Sequence, residues 1–303
     1  MLAQLGANIV DGIAVGVYPT SPSNEVAYVV AHSESEIIVC EDQEQVDKVL
    51  ERRDDLPRLL RIVVIETKGI RDYPPDQVMT FEALEALGAK EARDHSALVD
   101  EIIDRQQLAQ IALIIYTSGS TGKPKGAMLS YRNIRAQAMA ATDKLGFDPS
   151  DGVLSFLPLC HVAEQMTTVM VPVYLGSLVN FGESIRTVQE DLREVAPSMF
   201  LGVPRIWEKL YTSIHIKLLE TGRVRRALFA GAYAACEGFA EKNPVDRKLG
   251  ERIRFALSYW LIFRALQNFI GLRRTRIAIT GAAPISPAIV HFFRTIGVLL
   301  IEV

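Results

Sequence analysis

The stretch that decides the fold is ALIIYTSGSTGKPKGAMLS, residues 112–130, in which a glycine-rich loop joins two short apolar runs. The first run, ALIIY, predicts a buried strand, and AMLS after Gly126 predicts a second short strand. Between them, residues 116–126 hold three glycines, several hydroxyl side chains and two lysines around a proline. Glycines let the backbone approach oxygen atoms closely, and hydroxyl and ammonium groups donate hydrogen bonds to them. The stretch therefore predicts a phosphate-binding loop between two strands.

Two departures separate this loop from the Walker A motif, G-x-x-x-x-G-K-[ST]. Only two residues stand between Gly119 and Gly122, and Pro124 follows Lys123 where the motif has Ser or Thr. A P-loop NTPase is therefore disfavoured, and a Gly/Ser surface hairpin without a ligand is the other alternative. Since a strand follows the loop, phosphate contacts would come from backbone N–H groups and side chains, not from a helix dipole. The candidate phosphate-binding residues are Thr117, Ser118, Gly119, Ser120, Thr121, Gly122, Lys123 and Lys125, and the Thr121 hydroxyl is also a candidate Mg²⁺ ligand.

Short β-branched runs alternate with helical patterns along most of the chain. The runs EIIVC (36–40), RIVVI (61–65) and RIAIT (276–280) are continuously apolar instead of alternating in polarity. Such runs are typical of parallel strands that helices cover on both faces. The expected fold class is therefore α/β, with two doubly wound parallel-sheet lobes.

The boundary between the lobes is expected in a polar region. The stretch TKGIRDYPPDQ (67–77) is rich in proline and polar residues, and ARDHSALVDEIIDRQQ (92–107) is charged. Such composition is typical of a linker, and it predicts a first lobe over 1–105 and a second over 106–303. Within the second lobe, residues 205–275 have an almost wholly helical pattern, which predicts a helical insert.

The composition excludes several classes of protein. With 33 basic and 36 acidic residues among 303, the formal charge is −3, so the chain lacks the excess of basic residues that is typical of nucleic-acid-binding proteins. Cys40, Cys160 and Cys236 are far apart, so reduced thiols are expected and not a disulfide framework or a zinc site. The N-terminal stretch lacks a basic region, and no stretch reaches the length of a membrane span. A cytoplasmic location is expected, and peripheral contact with the inner face of a membrane is compatible with it.

The segment YTSGSTGKPKG resembles the signature of the adenylate-forming (AMP-binding) superfamily, which includes acyl-CoA synthetases, luciferases and peptide-synthetase adenylation domains. The other segments that are similar, in the family's order, are VGVYPTSPSNEVAYVVAHSESEIIVCED (15–42), LPLCH (157–161) and TGAAPIS (280–286). VPRIWEK (203–209) and the helical insert after it resemble the long-chain fatty acyl-CoA synthetase branch. The resemblance implies a ligase that uses ATP and Mg²⁺ to convert a fatty acid to acyl-AMP and then to acyl-CoA, with coenzyme A as co-substrate.

The resemblance also carries over to residues outside the loop. It implies that His161 lies where an acyl tunnel meets the nucleotide, whereas the alternative is a histidine that starts a helix and bonds to backbone. Small residues at the end of a parallel strand suit ligand binding in open α/β sheets. By resemblance they form the adenine wall, and the alternative is a plain strand-to-helix turn. These small residues are Gly281, Ala282, Ala283 and Pro284.

The last residues, LLIEV (299–303), precede the position of the family's Tyr-Gly-x-Thr-Glu motif. In the family, a further segment normally precedes the position of MLAQLG (1–6). We therefore expect an internal fragment of the family's large N-terminal domain, truncated at both ends. Such a fragment would have little or no ligase activity by itself and would be poorly soluble because of an exposed sheet edge. The alternatives are a non-catalytic truncated remnant and a fatty acyl-AMP ligase that uses a carrier-protein acceptor.

Overall fold

The structure, a computed structural model, describes residues 1–117 and 122–303. These residues form two compact units. The first unit comprises Met1–Gln137 and Pro158–Gln165, and the second comprises Ala138–Leu157 and Met166–Val303. The division into lobes 1–105 and 106–303 stays a prediction, because compactness alone does not define domains that fold independently.

The helices and strands of the chain up to Leu145 alternate in the expected manner. They are α1 (Leu2–Ile9), β1 (Ala14–Gly16), α2 (Ser23–His32), β2 (Ile37–Cys40), α3 (Gln43–Leu50), β3 (Arg61–Val64), β4 (Val78–Thr80), α4 (Phe81–Asp94), α5 (Leu98–Arg105), β5 (Ile111–Thr117), β6 (Lys125–Ser130) and α6 (Tyr131–Leu145). The charged stretch 92–107 contains the end of α4 and all of α5, whereas 67–77 contains no helix or strand. Thr80 begins α4 because its Oγ1 accepts a hydrogen bond from the backbone N–H of Ala83 over 3.1 Å.

The later elements include a long helical region. They are β7 (Gly152–Ser155), α7 (Val162–Glu164), α8 (Val171–Leu175), β8 (Leu178–Phe181), α9 (Val188–Val195), β9 (Met199–Gly202), α10 (Pro204–Glu220), α11 (Arg223–Cys236), α12 (Leu249–Ser258), α13 (Arg264–Phe269), β10 (Ile277–Thr280), α14 (Pro287–Thr295) and β11 (Leu300–Glu302). Two π-helical turns, Gln165–Met170 and Tyr259–Phe263, join α7 to α8 and α12 to α13. The predicted helical insert is confirmed, since α10 to α13 lie between β9 and β10.

The first unit contains two three-stranded sheets. One has the order β2-β3-β4 and is parallel throughout. Its core is an apolar cluster with α2 and α3, in which Val46 and Val64 are fully buried. The other has the order β1-β5-β6, with β1 parallel to β5 and β6 antiparallel to it. The strand predicted after Gly126 is confirmed as β6, and its antiparallel direction follows from the short loop before it.

The second unit is built on a five-stranded sheet with the order β11-β10-β9-β7-β8, in which all neighbours are parallel. Its largest core residue is Trp207 on α10, which is fully buried and donates its Nε1–H to the carbonyl of Gly202 over 3.0 Å. The ring packs edge-on against Phe200 and Phe293. These contacts fix α10 and α14 on the sheet, and the predicted α/β class with parallel sheets is confirmed.

Within the described ranges, no helix combines the length and the apolar character needed to cross a membrane.

Candidate nucleotide-binding segments

The two ends of the predicted phosphate loop are held together by the β5–β6 ladder. Thr117 pairs with Lys125, and Tyr116 pairs with Gly126. Strand β5 is fixed by its buried side chains, whereas Thr117, Gly122, Lys123 and Lys125 are exposed. The loop residues Ser118, Gly119, Ser120 and Thr121, the last of which is the candidate Mg²⁺ ligand, lie outside the described residues.

Glycine is required at two positions of the loop for different physical reasons. Gly122 has a φ of +115°, a conformation that a residue with a side chain rarely adopts. At Gly126, a Cβ atom would lie 2.8 Å from Cγ2 of Ile114 and 3.3 Å from Cζ of Tyr116. Gly126 therefore lets β6 lie directly against the side chains of β5, while Gly122 permits the turn that leads back to it.

Helix α2 contacts both flanks of the loop. Before the loop, the hydroxyl of Tyr116 lies 2.7 Å from Nδ1 of His32. After the loop, the hydroxyl of Tyr28 donates to the carbonyl of Pro124 over 3.0 Å, and Nζ of Lys123 lies 4.9 Å from the centre of the Tyr28 ring. Burial raises the pKa of Tyr116, so this phenol stays protonated at neutral pH. Neither Tyr28 nor His32 was predicted as a site residue; the available signal is their spacing of four positions, which places them on one helix face.

His161 begins α7, where its Nδ1 accepts a hydrogen bond from the backbone N–H of Ala163 over 3.2 Å. Its own backbone N–H donates to the carbonyl of Pro158 over 2.9 Å. The structure therefore shows the helix-capping arrangement, in which Nδ1 of the ring is the acceptor. A role at an acyl and nucleotide junction is not tested by this geometry and stays a prediction.

The segment around His161 is anchored in the first unit by two contacts. Gln4 and Gln165 exchange side-chain hydrogen bonds of 2.7 and 2.8 Å. Gly16 lies so close to Cys160 that a Cβ at this glycine would be 2.6 Å from the Cα of Cys160. Burial raises the pKa of the Cys160 thiol to about 11, so the thiol is protonated beside this histidine. Neither contact was predicted, because both join residues that are distant in sequence.

In the second unit, the predicted adenine-side residues form the turn after β10. Gly281 is buried, and a Cβ there would lie 3.1 Å from the carbonyl oxygen of Val303. Ala282 has a φ of +69°, which costs a non-glycine residue about 1–2 kcal/mol. Ala282, Ala283 and Pro284 are exposed, so the turn presents small side chains over its backbone.

Thr280, the last residue of β10, adds a polar group that the sequence analysis did not single out. Its side chain is fully buried, and its Oγ1 has no hydrogen-bond partner among the described residues. A buried hydroxyl without a partner is costly. Its position at the carboxyl end of a parallel strand is the signal that was available.

Neither metal-binding clusters nor surface concavities give further evidence about the position of the site. The part of the chain that the structure describes holds no group of three or more His, Cys, Asp or Glu side chains arranged for a metal ion. Two surface concavities in the first unit, of about 330 and about 730 Å³, are lined by other residues than those predicted. The Mg²⁺ assignment to Thr121 accordingly stays a prediction.

Comparison with known proteins gives consistent results along the whole chain. The sequence model of the family described as AMP-binding enzyme matches residues 1–303. The long-chain-fatty-acid--CoA ligase ACSBG2 of Xenopus laevis is 31% identical over 311 residues, which cover 99% of this chain and 41% of that protein.

Solved structures agree in fold. The anthranilate CoA ligase AuaEII in complex with anthranoyl-AMP superposes with a TM-score of 0.61 at 18% identity, covering 98% of this chain and 46% of that one. A long-chain-fatty-acid-CoA ligase (FadD1) from Archaeoglobus fulgidus superposes with a TM-score of 0.59 at 16% identity, covering 99% of this chain and 48% of that one. The chain thus spans less than half the length of each of these three proteins.

Proposed function

Because this chain belongs to the AMP-binding enzyme family, we propose that the full-length protein is an ATP-dependent ligase for long-chain fatty acids. A carboxylate oxygen of the acid attacks the α-phosphorus of ATP, pyrophosphate leaves, and acyl-AMP forms. The thiolate sulfur of coenzyme A then attacks the acyl carbon, and AMP leaves. The observation that carries the proposal is the match of 99% of this chain to a relative named long-chain-fatty-acid--CoA ligase.

The loop is assigned to the leaving phosphates. Attack at phosphorus is accelerated mainly by positioning and by stabilising charge on the phosphate oxygens. The exposed ammonium groups of Lys123 and Lys125 and the exposed hydroxyl of Thr117 supply donors at the mouth of the loop. Gly122 and the residues outside the described ranges, Ser118, Gly119, Ser120 and Thr121, are the other proposed phosphate-binding residues of the loop. Bound Mg²⁺ supplies further positive charge, and the Thr121 hydroxyl is its proposed ligand in this chain.

The turn after β10 is assigned to the adenine ring. Exposed Ala282, Ala283 and Pro284 present little side-chain bulk, which suits a flat ring lying on backbone. The left-handed conformation of Ala282 supports this role, because strain of this kind clusters at ligand sites. His161 is assigned to the acyl side, where its Nε2–H is available as a donor.

The test is a substrate panel on the purified full-length protein. We expect acyl-CoA and AMP to form with Mg-ATP, coenzyme A and saturated acids of about 12 to 18 carbons, and to form far more slowly with acetate. Preference for acetate or an amino acid would contradict the long-chain assignment. Release of acyl-AMP with no acyl-CoA, rescued by a phosphopantetheine carrier protein, would favour the acyl-AMP ligase. No activity with any acid would favour the non-catalytic alternative.

A membrane contact is a second proposal, carried by one face of α12 and the π-turn after it. Leu249, Ile253, Leu257, Trp260 and Leu261 follow helical spacing and are each between 52% and 75% exposed. Exposed Arg252 and Arg254 lie on either flank, which suits an anionic lipid surface by charge. Farther along the same helical stretch, Phe263, Leu266 and Ile270 are buried.

Vesicle binding tests this contact. The full-length protein is expected to sediment with phosphatidylglycerol-containing vesicles and less with pure phosphatidylcholine. The substitution Ile253→Glu should abolish sedimentation, whereas Leu219→Glu, at a residue of α10 that is 70% exposed, should not. If the full-length protein sediments with neither vesicle type, the membrane proposal fails. The apolar face would then be covered by another part of the protein or by a second copy.

A further inference from the structure

We propose that Tyr28 and His32 are positioning residues that hold the two flanks of the phosphate loop at a fixed spacing, and that the Tyr28 ring holds the Lys123 ammonium beside the loop. The inference rests on the proposed role of this loop in binding the phosphates of ATP. Both residues lie on α2, four positions apart, and therefore on one helix face. They lie within the segment 15–42 that resembles the family, and they contact the flanks of the loop from outside the loop itself.

The flank before the loop is held through Tyr116. This residue is only 6% exposed, and its hydroxyl is joined to Nδ1 of His32 by a hydrogen bond of 2.7 Å. The two rings meet edge to face, with centres 5.8 Å apart and planes at 80°. Because Tyr116 directly precedes Thr117, the last residue of β5, this contact restrains the end of the strand that leads into the loop.

The flank after the loop is held through Tyr28. Its hydroxyl donates to the carbonyl of Pro124 over 3.0 Å. Pro124 has no backbone N–H and lies just before β6, so it cannot donate to the β5–β6 ladder. The hydrogen bond from Tyr28 thus restrains Pro124, which makes no hydrogen bond through its own nitrogen in the β5–β6 ladder.

The three aromatic rings also contact one another. Tyr28 and Tyr116 meet edge to face with centres 6.4 Å apart, and the centres of Tyr28 and His32 are 5.3 Å apart. The ring trio of Tyr28, His32 and Tyr116 therefore links the two flanks through side chains as well as through the ladder. Two separate links restrict the spacing of the two flanks before a ligand binds, which lowers the entropy cost of binding.

Lys123 gives the arrangement a more direct function. Its Nζ lies 4.9 Å from the centre of the Tyr28 ring, within the range of a cation–π contact. This contact uses the charge of the ammonium group and none of its N–H donors through a hydrogen bond. The N–H donors that point away from the ring can therefore bond phosphate oxygens while the side chain is restrained. The ring limits the positions that Lys123 samples before the ligand arrives.

Two substitutions at Tyr28 separate its contacts. Tyr28→Phe removes the bond to Pro124 and keeps the ring under Lys123, whereas Tyr28→Leu removes both. In the full-length protein, we expect the KM for ATP and the Kd for pyrophosphate to rise about threefold in Tyr28→Phe and about tenfold in Tyr28→Leu. The KM for the fatty acid should change by less than about twofold in both variants.

His32 is tested by a double-mutant cycle with Tyr116. His32→Ala and Tyr116→Phe should each raise the Kd for pyrophosphate about threefold, and the double variant should be no worse than either single one. His95→Ala, at the exposed histidine that follows α4, is the matched control and should leave the Kd unchanged.

The outcomes separate this inference from the proposed function. If the wild-type protein binds neither ATP nor pyrophosphate, the proposed function fails and this inference fails with it. If the wild type binds both and forms acyl-AMP while Tyr28→Leu and His32→Ala bind them unchanged, only the positioning role is overturned. A merely structural role would lower Tm and weaken fatty acid and ATP alike. That result also overturns the inference, because positioning predicts a selective loss toward the phosphates.

Discussion

Arg276 donates its Nε–H to Oδ1 of Asp151 across 2.9 Å, although the Asp151 side chain is only 1% exposed. Nη2 on the same guanidinium edge donates to Oδ2 of this carboxylate. The hydroxyl of Ser198 donates to Oδ1 over 2.6 Å and accepts from the backbone N–H of Gly152 over 2.9 Å. This network joins the amino ends of β7, β9 and β10 within the second unit.

Asp151→Ala should destabilise the protein by about 1–3 kcal/mol, because it removes the buried acceptor of Ser198 and Arg276, although Arg276 itself is partly exposed and keeps Asp148. The measurement is urea unfolding followed by circular dichroism. Asp148→Ala is the matched control, since Asp148 also bonds Arg276 but is solvent-exposed. Its midpoint should shift little. An equal shift in the two variants would show that burial of Asp151 does not matter.

Gly126→Ala should destabilise the β5–β6 pair by about 1–3 kcal/mol, because the new methyl group overlaps Ile114 and Tyr116. Thermal unfolding measures the loss, and adding Ile114→Val should recover part of it. Gly88→Ala in α4 is a control with the opposite expected sign. Nothing lies within 4 Å of a Cβ at this position, and alanine favours a helix by about 1 kcal/mol. Equal effects would contradict the packing argument.

Lys123→Ala and Lys125→Ala should each weaken pyrophosphate binding by about tenfold, the usual loss for one charge-assisted hydrogen bond. The loss should shrink as salt rises, because screening already weakens the wild-type contact. Calorimetry at two ionic strengths checks both expectations. Lys90→Ala, on exposed α4, should bind like the wild type. Unchanged binding in both loop variants would remove the lysines from the phosphate site.

The buried thiols should make the protein lose stability at alkaline pH. Burial, with a smaller effect of the Asp42 charge, raises the pKa of Cys40 to about 12, and burial raises that of Cys160 to about 11. The ordinary value is 9.0, so above pH 9 the unfolded chain releases thiol protons that the folded chain retains. The thiols' contribution is therefore complete below pH 9 and is lost as the pH rises toward 11 and 12.

Unfolding at pH 8, 9.5 and 10.5 measures this loss, and Cys160→Ala should reduce the slope. Thiol labelling of the native protein at pH 8 should be slow and should become fast in denaturant. A stability that stays flat from pH 8 to 10.5 in the wild type would contradict the raised pKa values.

The sequence predicted best what is local. The loop between β5 and β6 was readable because glycine, hydroxyl and lysine residues follow an apolar run within a few positions. The end of β1 could not be predicted in this way. The run AVGVY (14–18) predicts a strand of five residues, but the strand ends at Gly16. Val17 packs against the apolar core of the β2-β3-β4 sheet. The helix α1 was missed, and α5 lies in a charged stretch interpreted as a linker.

Contacts between distant residues escaped for a different reason. The approach of Gly16 to Cys160 and the bond of Tyr28 to Pro124 depend on which strands and helices become neighbours. Composition and periodicity report the partners of a residue only when they are close in the chain. Capping at His161 is local and was foreseen as an alternative, and its geometry is the one observed.

The placement of the helical region between β9 and β10 has a consequence for folding kinetics. Gly202 pairs with Thr280, so this ladder closes only after the whole segment between them has been made and compacted. Helices form in microseconds, whereas parallel pairing across such a separation is slow. During synthesis, β9 therefore waits with one edge unpaired until β10 emerges. That interval is when the nascent chain is most exposed to aggregation and depends most on chaperones.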